Sequence, residues 1–225
     1  MNGFSTLNEK SLHASLKEWY RRPGDRLEEP LDGFFIDILR GDHCVEIQTG
    51  NFSAIRRKLW QLLEQHPVRL VYPIAIEKQI VRLDSDGVTQ LSRRRSPRRG
   101  TLLDLFNQLI YAPSLLQHDN FTLEILLIRE EELRQHQPGK HWRRQGWGVV
   151  EHRLLEVVES RVFQQPVELL ELLPPGLPGT FTTADLAAGL KRPRALTQKL
   201  AYCLRSLDLI RLTGKSGNAL LYELV

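Results

Sequence analysis

The chain has 225 residues, of which 41% are hydrophobic, and this is enough for one large packed domain or two smaller ones. No apolar run approaches the length of a membrane span, and the first residues lack the basic and apolar pattern of a signal peptide. Cys44 and Cys203 lie in a strand pattern and a helix pattern, so we expect buried thiols in a reducing compartment rather than a disulfide. The composition therefore predicts a cytoplasmic protein that does not associate with membranes.

Positive charge is concentrated in one short segment. Lys and Arg number 31 against 27 Asp and Glu, but residues 90–100 (QLSRRRSPRRG) contain five arginines and no acid. Such a cluster is a candidate surface for phosphate contacts, and a solvated, partly disordered loop is the alternative. The candidate phosphate contacts are Arg93, Arg94, Arg95, Arg98 and Arg99.

The spacing of apolar residues predicts the elements of the first third of the chain. Residues 7–20 carry apolar side chains at helical intervals, and residues 21–30 read as a charged loop. Residues 31–49 read as a β-hairpin. A helix over residues 51–66 and an apolar strand over residues 68–76 follow, so strand, helix and strand form a βαβ unit.

The hairpin is predicted to place two carboxylates opposite each other. Gly41 and Asp42 form the loop, because glycine takes the positive φ that a two-residue hairpin turn needs. Asp37 then faces Glu46 in a non-hydrogen-bonded pair, in which side chains lie closest. Two such carboxylates need a shared proton or a cation, and Mg²⁺ or Mn²⁺ suits an oxygen-rich site. A solvated polar face with a salt bridge is the alternative. The residues predicted to share the opposite, apolar face are Ile36, Ile38, Val45 and Ile47.

The remaining chain is predicted to mix strands and helices before a distinct C-terminal part. Residues 79–92 read as a second hairpin, and residues 180–225 contain two helices and a final hairpin. The elements predicted between them are a helix over 101–111, a strand over 121–128, a helix over 129–137, a helix over 149–163 and a proline-rich linker over 172–179.

The order of helix, hairpin, helix and buried strand resembles the core of the PD-(D/E)XK nuclease superfamily. The matching residues are Asp37 and the triplet Glu46-Ile47-Gln48. The resemblance covers residues 7–76. It implies an α/β (α+β) fold, with a restriction-endonuclease-like mixed β-sheet flanked by helices.

The resemblance also implies a metal site. Asp37 and Glu46 would hold one or two Mg²⁺ (or Mn²⁺) ions, with the backbone carbonyl of Ile47 as a further ligand. The metal would activate a water molecule and neutralise charge that develops on the scissile phosphate. Asp32 is a second candidate for the aspartate, although strand alternation puts it on the face opposite to Glu46.

Gln48 departs from the family pattern, because it stands where a catalytic lysine is usual. Glutamine can hydrogen-bond to the attacking water but supplies no positive charge. Basic residues migrate in this superfamily, so we expect the cation from elsewhere and place Lys58 among the catalytic residues. The supporting candidates are Arg57 and Lys78 for the cation, and Glu9 or Glu18 of the first helix for a further carboxylate.

Residues 180–225 resemble a winged-helix domain, with helix, turn, helix and a two-stranded wing. In that fold the second helix enters the major groove and the wing contacts the nucleic-acid backbone. The implied nucleic-acid contacts are Arg194, Thr197, Gln198 and Lys199 on the helix and Lys215 on the wing. Winged helices also bind proteins, so a protein partner is the alternative.

These expectations divide the chain into three parts. They are a nuclease-like domain over residues 1–138, a helical connector with a proline-rich linker over residues 139–179, and a winged-helix domain over residues 180–225. The predicted function is metal-dependent hydrolysis of phosphodiester bonds, with DNA as the expected nucleic acid and a homodimer as one oligomeric option. The alternatives are a nuclease-fold DNA-binding or regulatory protein without turnover, and a protein-interaction adaptor.

Overall fold

The structure, a computed structural model, describes residues 11–137 and 146–225. Its helices are α1 (Ser11–Tyr20), α2 (Phe52–Leu63), α3 (Phe106–Leu109), α4 (Thr183–Leu190) and α5 (Arg194–Ser206). Its strands are β1 (Arg26–Leu31), β2 (Phe34–Arg40), β3 (His43–Ile47), β4 (Val68–Leu83), β5 (Gln90–Arg95), β6 (Phe121–His136), β7 (Trp147–Phe163), β8 (Ile210–Ser216) and β9 (Ala219–Leu224). Within the two described ranges, no helix is both long and apolar enough to cross a membrane.

A mixed sheet organises the first two thirds of the molecule. Its strands follow the order β1-β2-β3-β4-β6-β7, and β5 pairs with the far end of β4. The pairs β3–β4 and β4–β6 are parallel, and the other pairs are antiparallel. A parallel pair needs a crossover connection, and α2 provides it between β3 and β4. The expected α+β class with a mixed sheet is therefore confirmed.

The two faces of the sheet are covered by different helices. Leu12, Leu16 and Tyr20 of α1 pack with Ile38 and Val45 on one face. The opposite face carries a larger core, to which α2, α3 and the C-terminal segment contribute. The apolar face predicted for the hairpin is wrong in one respect, because Ile36 packs into this larger core instead of joining Ile38.

The hairpin register is as predicted only near the turn, because the ladder ends at Ile38 and the predicted strand pair Asp37–Glu46 is not formed. The chain before the hairpin is not a loop. Ile38 pairs with Val45 across the Gly41-Asp42 turn, where Gly41 has φ +62°. Residues 21–30, predicted as a charged loop, contain most of β1, which pairs with β2. β1 is a half-exposed strand at the edge of the sheet, so it carries little apolar signal.

The second predicted hairpin exists, and the arginine segment belongs to it. β4 runs without a break to Leu83 and pairs with β5, which contains Arg93, Arg94 and Arg95. These three arginines therefore lie on a strand and not on the disordered loop considered as an alternative. The helix predicted for residues 101–111 forms as a short 3-10 turn followed by α3, and the Asp104 carboxylate accepts a hydrogen bond from Thr101 N–H.

Two predicted helices are strands. Residues 129–137, predicted as helical, continue β6, and residues 149–163 form most of β7. The predicted helical connector over 139–179 is thus wrong for its described part, which contains β7 and a 3-10 turn over Pro166–Leu172. β7 pairs along its length with β6 and so belongs to the same sheet.

Irregular pairing explains why β7 resembles a helix in sequence. The β6–β7 register shifts at three places, and each shift leaves one additional residue in β7. Bulges of this kind break the two-residue alternation of a strand. The apolar residues of β7 then recur at intervals close to those of a helix. The additional residues are Val150, Leu155 and Val158, and all three are exposed.

The C-terminal segment consists of α4, α5 and the β8–β9 hairpin, as the sequence predicts. Thr182 caps α4 by accepting hydrogen bonds from the N–H groups of Ala184 and Asp185. A bridge between Phe181 and Tyr222 ties the start of the segment to β9. Its apolar side chains join the larger core of the sheet, so the two parts pack together.

A buried ionic network holds the long central strands together. Lys78 of β4 lies 2.8 Å from Glu130 and 3.0 Å from Glu132 of β6, and both glutamates are almost fully buried. Arg134 lies 2.5 Å from Glu132, and His152 of β7 lies 3.4 Å from Glu130. The cation of Lys78 therefore offsets the cost of burying two carboxylates.

Substitution of Lys78 by alanine should be strongly destabilising. The free energy of unfolding should fall by about 3 kcal/mol, because two buried carboxylates lose a shared cation. Urea unfolding followed by circular dichroism measures the change. Arg94→Ala, at an exposed position of β5, is the matched control and should change stability by less than about 0.5 kcal/mol. Equal stability of the two variants would contradict the role given to Lys78.

Candidate functional site

The strands β2 and β3 separate beyond the pair Ile38–Val45, where their ladder ends. In the gap, Asp37 Oδ2 accepts a hydrogen bond of 2.8 Å from the N–H of Ile47. The Asp37 carboxylate thus takes a position in which a backbone carbonyl would otherwise continue the ladder. The packing of Ile36 and Ile38 on opposite faces follows from this irregularity.

Lys58 of α2 extends into the same gap. Its ammonium nitrogen lies 2.6 Å from Glu46 Oε1 and 2.5 Å from the carbonyl oxygen of Phe35. The helix is positioned by Asn51, whose side chain accepts from Ser53 N–H, and by the buried face that includes Leu59. Lys58 lies next to the buried Leu59 on α2. Its aliphatic chain therefore extends from the edge of the core, and its ammonium group reaches both strands.

His13 of α1 approaches from the other face of the sheet. Its Nε2 lies 3.2 Å from Asp37 Oδ2, and about a fifth of each side chain is exposed. Glu46 is only 3% exposed in its side chain. The Asp37 carboxylate is therefore the part of the pair that solvent reaches more readily.

The two carboxylates have different affinities for protons. Burial, together with the neighbouring charge of Asp37, raises the pKa of Glu46 to about 7, although Lys58 opposes the change. Burial also acts to raise the pKa of Asp37, but hydrogen bonds from His13 and Ile47 N–H outweigh it and hold that pKa below its ordinary value. Near neutral pH the pair can therefore exchange a proton at Glu46 while Asp37 stays ionised.

A cavity of about 580 Å³ is lined by neighbours of the site residues in the chain, but not by Asp37, Glu46 or Lys58 themselves. Leu12, next to His13, and Thr49, at the end of β3, lie in its wall, and so do Tyr72 and Arg98. The network around Lys78 lines another part of the same wall. Its volume lies in the range of pockets that hold small ligands.

The structure brings together three of the residues predicted for the catalytic site, namely Asp37, Glu46 and Lys58. Ile47 contributes its N–H to Asp37, while the part proposed for its carbonyl as a metal ligand stays a prediction. Gln48 contributes no side-chain contact to the pair: its amide donates to Asn51 O at 2.9 Å and so holds the turn before α2.

Other predicted supporting residues lie elsewhere. Asp32 is in the turn between β1 and β2, where it contacts His66 at 2.9 Å. Glu18 is exposed and pairs with Arg21, and Arg57 is exposed on α2. The suggestion that Lys78 supplies the cation for this site is wrong, because Glu130 and Glu132 bind it. Glu9 lies outside the described residues.

All five arginines of the predicted surface are exposed, but two of them have acidic partners. Arg93 pairs with Glu131 at 2.6 Å, and Arg95 pairs with Glu77 at 3.1 Å. Arg94, Arg98 and Arg99 are exposed, and Arg98 lines the cavity. The positive charge available for a phosphate is therefore smaller than the sequence suggests.

Helix α5 presents a different surface from the one predicted. Thr197 is fully buried and donates to Thr183 O, and Lys199 donates to Asn107 Oδ1 of α3 at 2.8 Å. Neither side chain is therefore placed for a contact with nucleic acid. The exposed stripe of the helix consists of Arg194, Gln198, Tyr202 and Arg205, and Lys215 is exposed on β8.

Three functional candidates escaped sequence reasoning. His13 gave no signal, because its partner Asp37 is 24 residues away and is reached only through packing of α1. Tyr202 and Arg205 could have been found from their spacing, since they continue the stripe of Arg194 and Gln198 by helical intervals of four and three residues.

The Asp37–Glu46 pair suits a cation that needs few ligands from the protein. Among the residues that the structure describes, no group of three or more His, Cys, Asp or Glu side chains gathers as a metal site. Mg²⁺, however, usually retains several waters and takes only one or two carboxylates together with substrate phosphate. Asp37 Oδ2 carries both bonds described above, so its other oxygen can accept such a ligand.

Comparison with known proteins gives two matches. A family profile described as Domain of unknown function (DUF8091) matches residues 10–164, from the start of α1 to the end of β7. A protein of Treponema pallidum (strain Nichols), described as uncharacterized, is 31% identical over 184 residues, which cover 81% of this chain and 73% of the relative. No solved structure matches. The site residues lie inside the matched range, whereas α4, α5 and the final hairpin lie beyond the family profile.

The raised pKa of Glu46 makes stability depend on pH. Folding favours the protonated form, so this contribution is present at low pH and is lost as the pH rises through about 7. Between about pH 5 and about pH 8, the free energy of unfolding of the wild type should therefore fall by about 3 kcal/mol relative to that of Glu46→Gln. The pKa of Asp37 is shifted in the opposite direction, but Asp37 is present in both the wild type and Glu46→Gln.

Urea unfolding at several pH values measures this difference. Glu18→Gln, which removes an exposed carboxylate of α1, is the control and should follow the wild type at every pH. If the free energies of unfolding of the wild type and Glu46→Gln differ by the same amount at every pH, the raised pKa of Glu46 is contradicted.

Proposed function

The chain belongs to the DUF8091 family, and we propose from its site residues that it is a metal-dependent nuclease that hydrolyses phosphodiester bonds, with DNA as the favoured substrate. The observation that carries the proposal is the meeting of Asp37, Glu46 and Lys58 in the gap between β2 and β3. Two acidic ligands beside a fixed ammonium group are suited to phosphoryl chemistry.

The order of the elements supports the same proposal. The chain runs α1-β1-β2-β3-α2-β4, with the aspartate on the second strand, the glutamate on the third, and the third and fourth strands parallel. This order agrees with the PD-(D/E)XK resemblance suggested by the sequence. Lys58 compensates for the departure at Gln48, because it brings to Glu46 the positive charge that residue 48 lacks.

Each residue has a defined part in the proposed reaction. Mg²⁺, when bound, would activate a water molecule and neutralise charge on the phosphate. Asp37 and Glu46 would hold the ion, and Glu46 must first lose the proton that burial favours. His13 fixes the orientation of Asp37. Lys58, held between two strands, would stabilise negative charge on the scissile phosphate.

The C-terminal segment supports a targeting role. Its order of α4, α5 and the β8–β9 hairpin agrees with the resemblance to a winged helix. The exposed stripe of α5 combines two arginines with Tyr202, and basic and aromatic side chains together suit contacts with a nucleic-acid strand.

A second candidate function is binding of nucleic acid without cleavage. Two observations favour it: Gln48 holds a turn and does not contact the pair, and Lys58 already neutralises Glu46. In that case the carboxylates would serve to close the irregular β2–β3 ladder.

Cleavage assays on labelled DNA and RNA separate these two functions. The wild type should cleave in Mg²⁺ or Mn²⁺ and not in EDTA, because the ion would activate the attacking water. Asp37→Asn and Glu46→Gln should each reduce the rate by at least about a hundredfold. Asp32→Asn removes a carboxylate from the adjacent turn and should retain activity. Binding without cleavage under every metal condition would favour the second candidate.

Filter binding over a salt series tests the stripe on α5. Arg194→Ala and Arg205→Ala should each weaken DNA binding and lower the slope of log K against log salt by about 1. Lys199→Ala is the control on the same helix, and it should leave the slope unchanged because Lys199 contacts Asn107. A larger loss from Lys199→Ala than from either arginine variant would place the contact surface elsewhere.

A further inference from the structure

Phe35 has the most exposed aromatic side chain in the described part of the chain. It is 72% exposed, whereas Trp19 is 50% and Tyr202 is 47% exposed. A single exposed apolar residue on a protein surface needs no functional explanation. Phe35, however, lies two residues from Asp37, and this position makes its exposure relevant to the site.

Phe35 lies on the same face of β2 as Asp37. Phe34 and Ile36 pack toward the larger core, so the alternation of the strand turns Phe35 and Asp37 to the other face. Residues two apart on a strand are about 7 Å apart. The contact of Asp37 with His13 of α1 agrees with this orientation, because α1 covers that face. An exposed aromatic ring therefore stands directly beside the carboxylate that solvent reaches.

The backbone that carries the ring is fixed on both sides. Phe35 pairs with Pro30 of β1, and its carbonyl oxygen accepts the hydrogen bond from Lys58. Lys58 in turn contacts Glu46. The backbone at Phe35 is thus held at a set distance from the catalytic candidates, so binding has to order only the side-chain torsions of the ring.

The chemistry around the ring selects the class of ligand. A purely apolar partner would remove the remaining solvent from the partly exposed Asp37 carboxylate, which is costly. A nucleic-acid strand offers a phosphate to the charged groups and a flat base to the ring. Each base stacked on an aromatic side chain contributes about 1–3 kcal/mol. Bases inside a duplex already stack on their neighbours, so only an unpaired base can use the ring.

We propose that Phe35 stacks on an unpaired base next to the scissile phosphate, and that the substrate is therefore a single strand or a locally opened duplex. This inference rests on the proposed nuclease function, because it takes the Asp37–Glu46 pair as the place of cleavage. Phe35 is a positioning and specificity residue and has no part in the chemical step.

Binding measured in EDTA tests the proposal without any cleavage. The probes are a single-stranded oligonucleotide containing 2-aminopurine and a fully paired duplex of the same sequence. Phe35→Ala should weaken binding of the single strand by about tenfold and remove the fluorescence change caused by stacking. Binding of the duplex should not change. Phe35→Trp should retain both signals, and Trp19→Ala, at another exposed aromatic residue, should behave as the wild type.

The outcomes separate the inference from the proposed function. Loss of single-strand binding in Phe35→Ala supports stacking of an unpaired base on Phe35, and absence of cleavage by the wild type under every metal condition would then count only against the nuclease function. Cleavage that depends on Asp37, together with unchanged single-strand binding by Phe35→Ala, would overturn the inference and leave the nuclease function intact. An equal loss of affinity for single strand and duplex would also overturn it. An unchanged Tm of Phe35→Ala ensures that the comparison concerns folded protein.

Discussion

Lys58 contacts both β2 and β3 at the point where the two strands stop pairing. β2 and β3 part where their ladder ends, and Asp37 there accepts a hydrogen bond from the N–H of Ile47 on the opposite strand. Two carboxylates alone would repel each other there. The ammonium of Lys58 neutralises Glu46 and binds the Phe35 carbonyl, so α2 is held over the gap. Lys58 thus links α2 to both strands at the point where their ladder ends.

The sequence predicts the hairpin well but not the gap within it. Turn geometry acts over a few residues, so Gly41 with positive φ and the pairing of Ile38 with Val45 follow from local pattern. The irregularity at Asp37 does not, because it arises when a side chain competes with the backbone for the N–H of Ile47. The contact with His13 depends on how α1 packs across the sheet, and no short-range pattern encodes it.

The long strands β6 and β7 illustrate a second limit of sequence reasoning. Glu130, Glu132 and Arg134 of β6 recur at every second position. Because a strand is usually predicted from alternating apolar residues, these charged residues do not indicate one. Each is stabilised by an ionic partner that only the folded sheet supplies. In β7 the bulges shift the apolar residues toward helical spacing, so the sequence wrongly predicts a helix there. Tertiary pairing therefore overrides local pattern in both strands.

The packing of the C-terminal segment has a consequence for the proposed function. α5 shares the larger core with the sheet, and Lys199 binds Asn107 of α3, so its exposed stripe is fixed relative to the carboxylate pair. A flexibly tethered module would allow cleavage over a range of distances from its binding site. A rigidly packed one constrains where a strand bound by α5 can reach the pair.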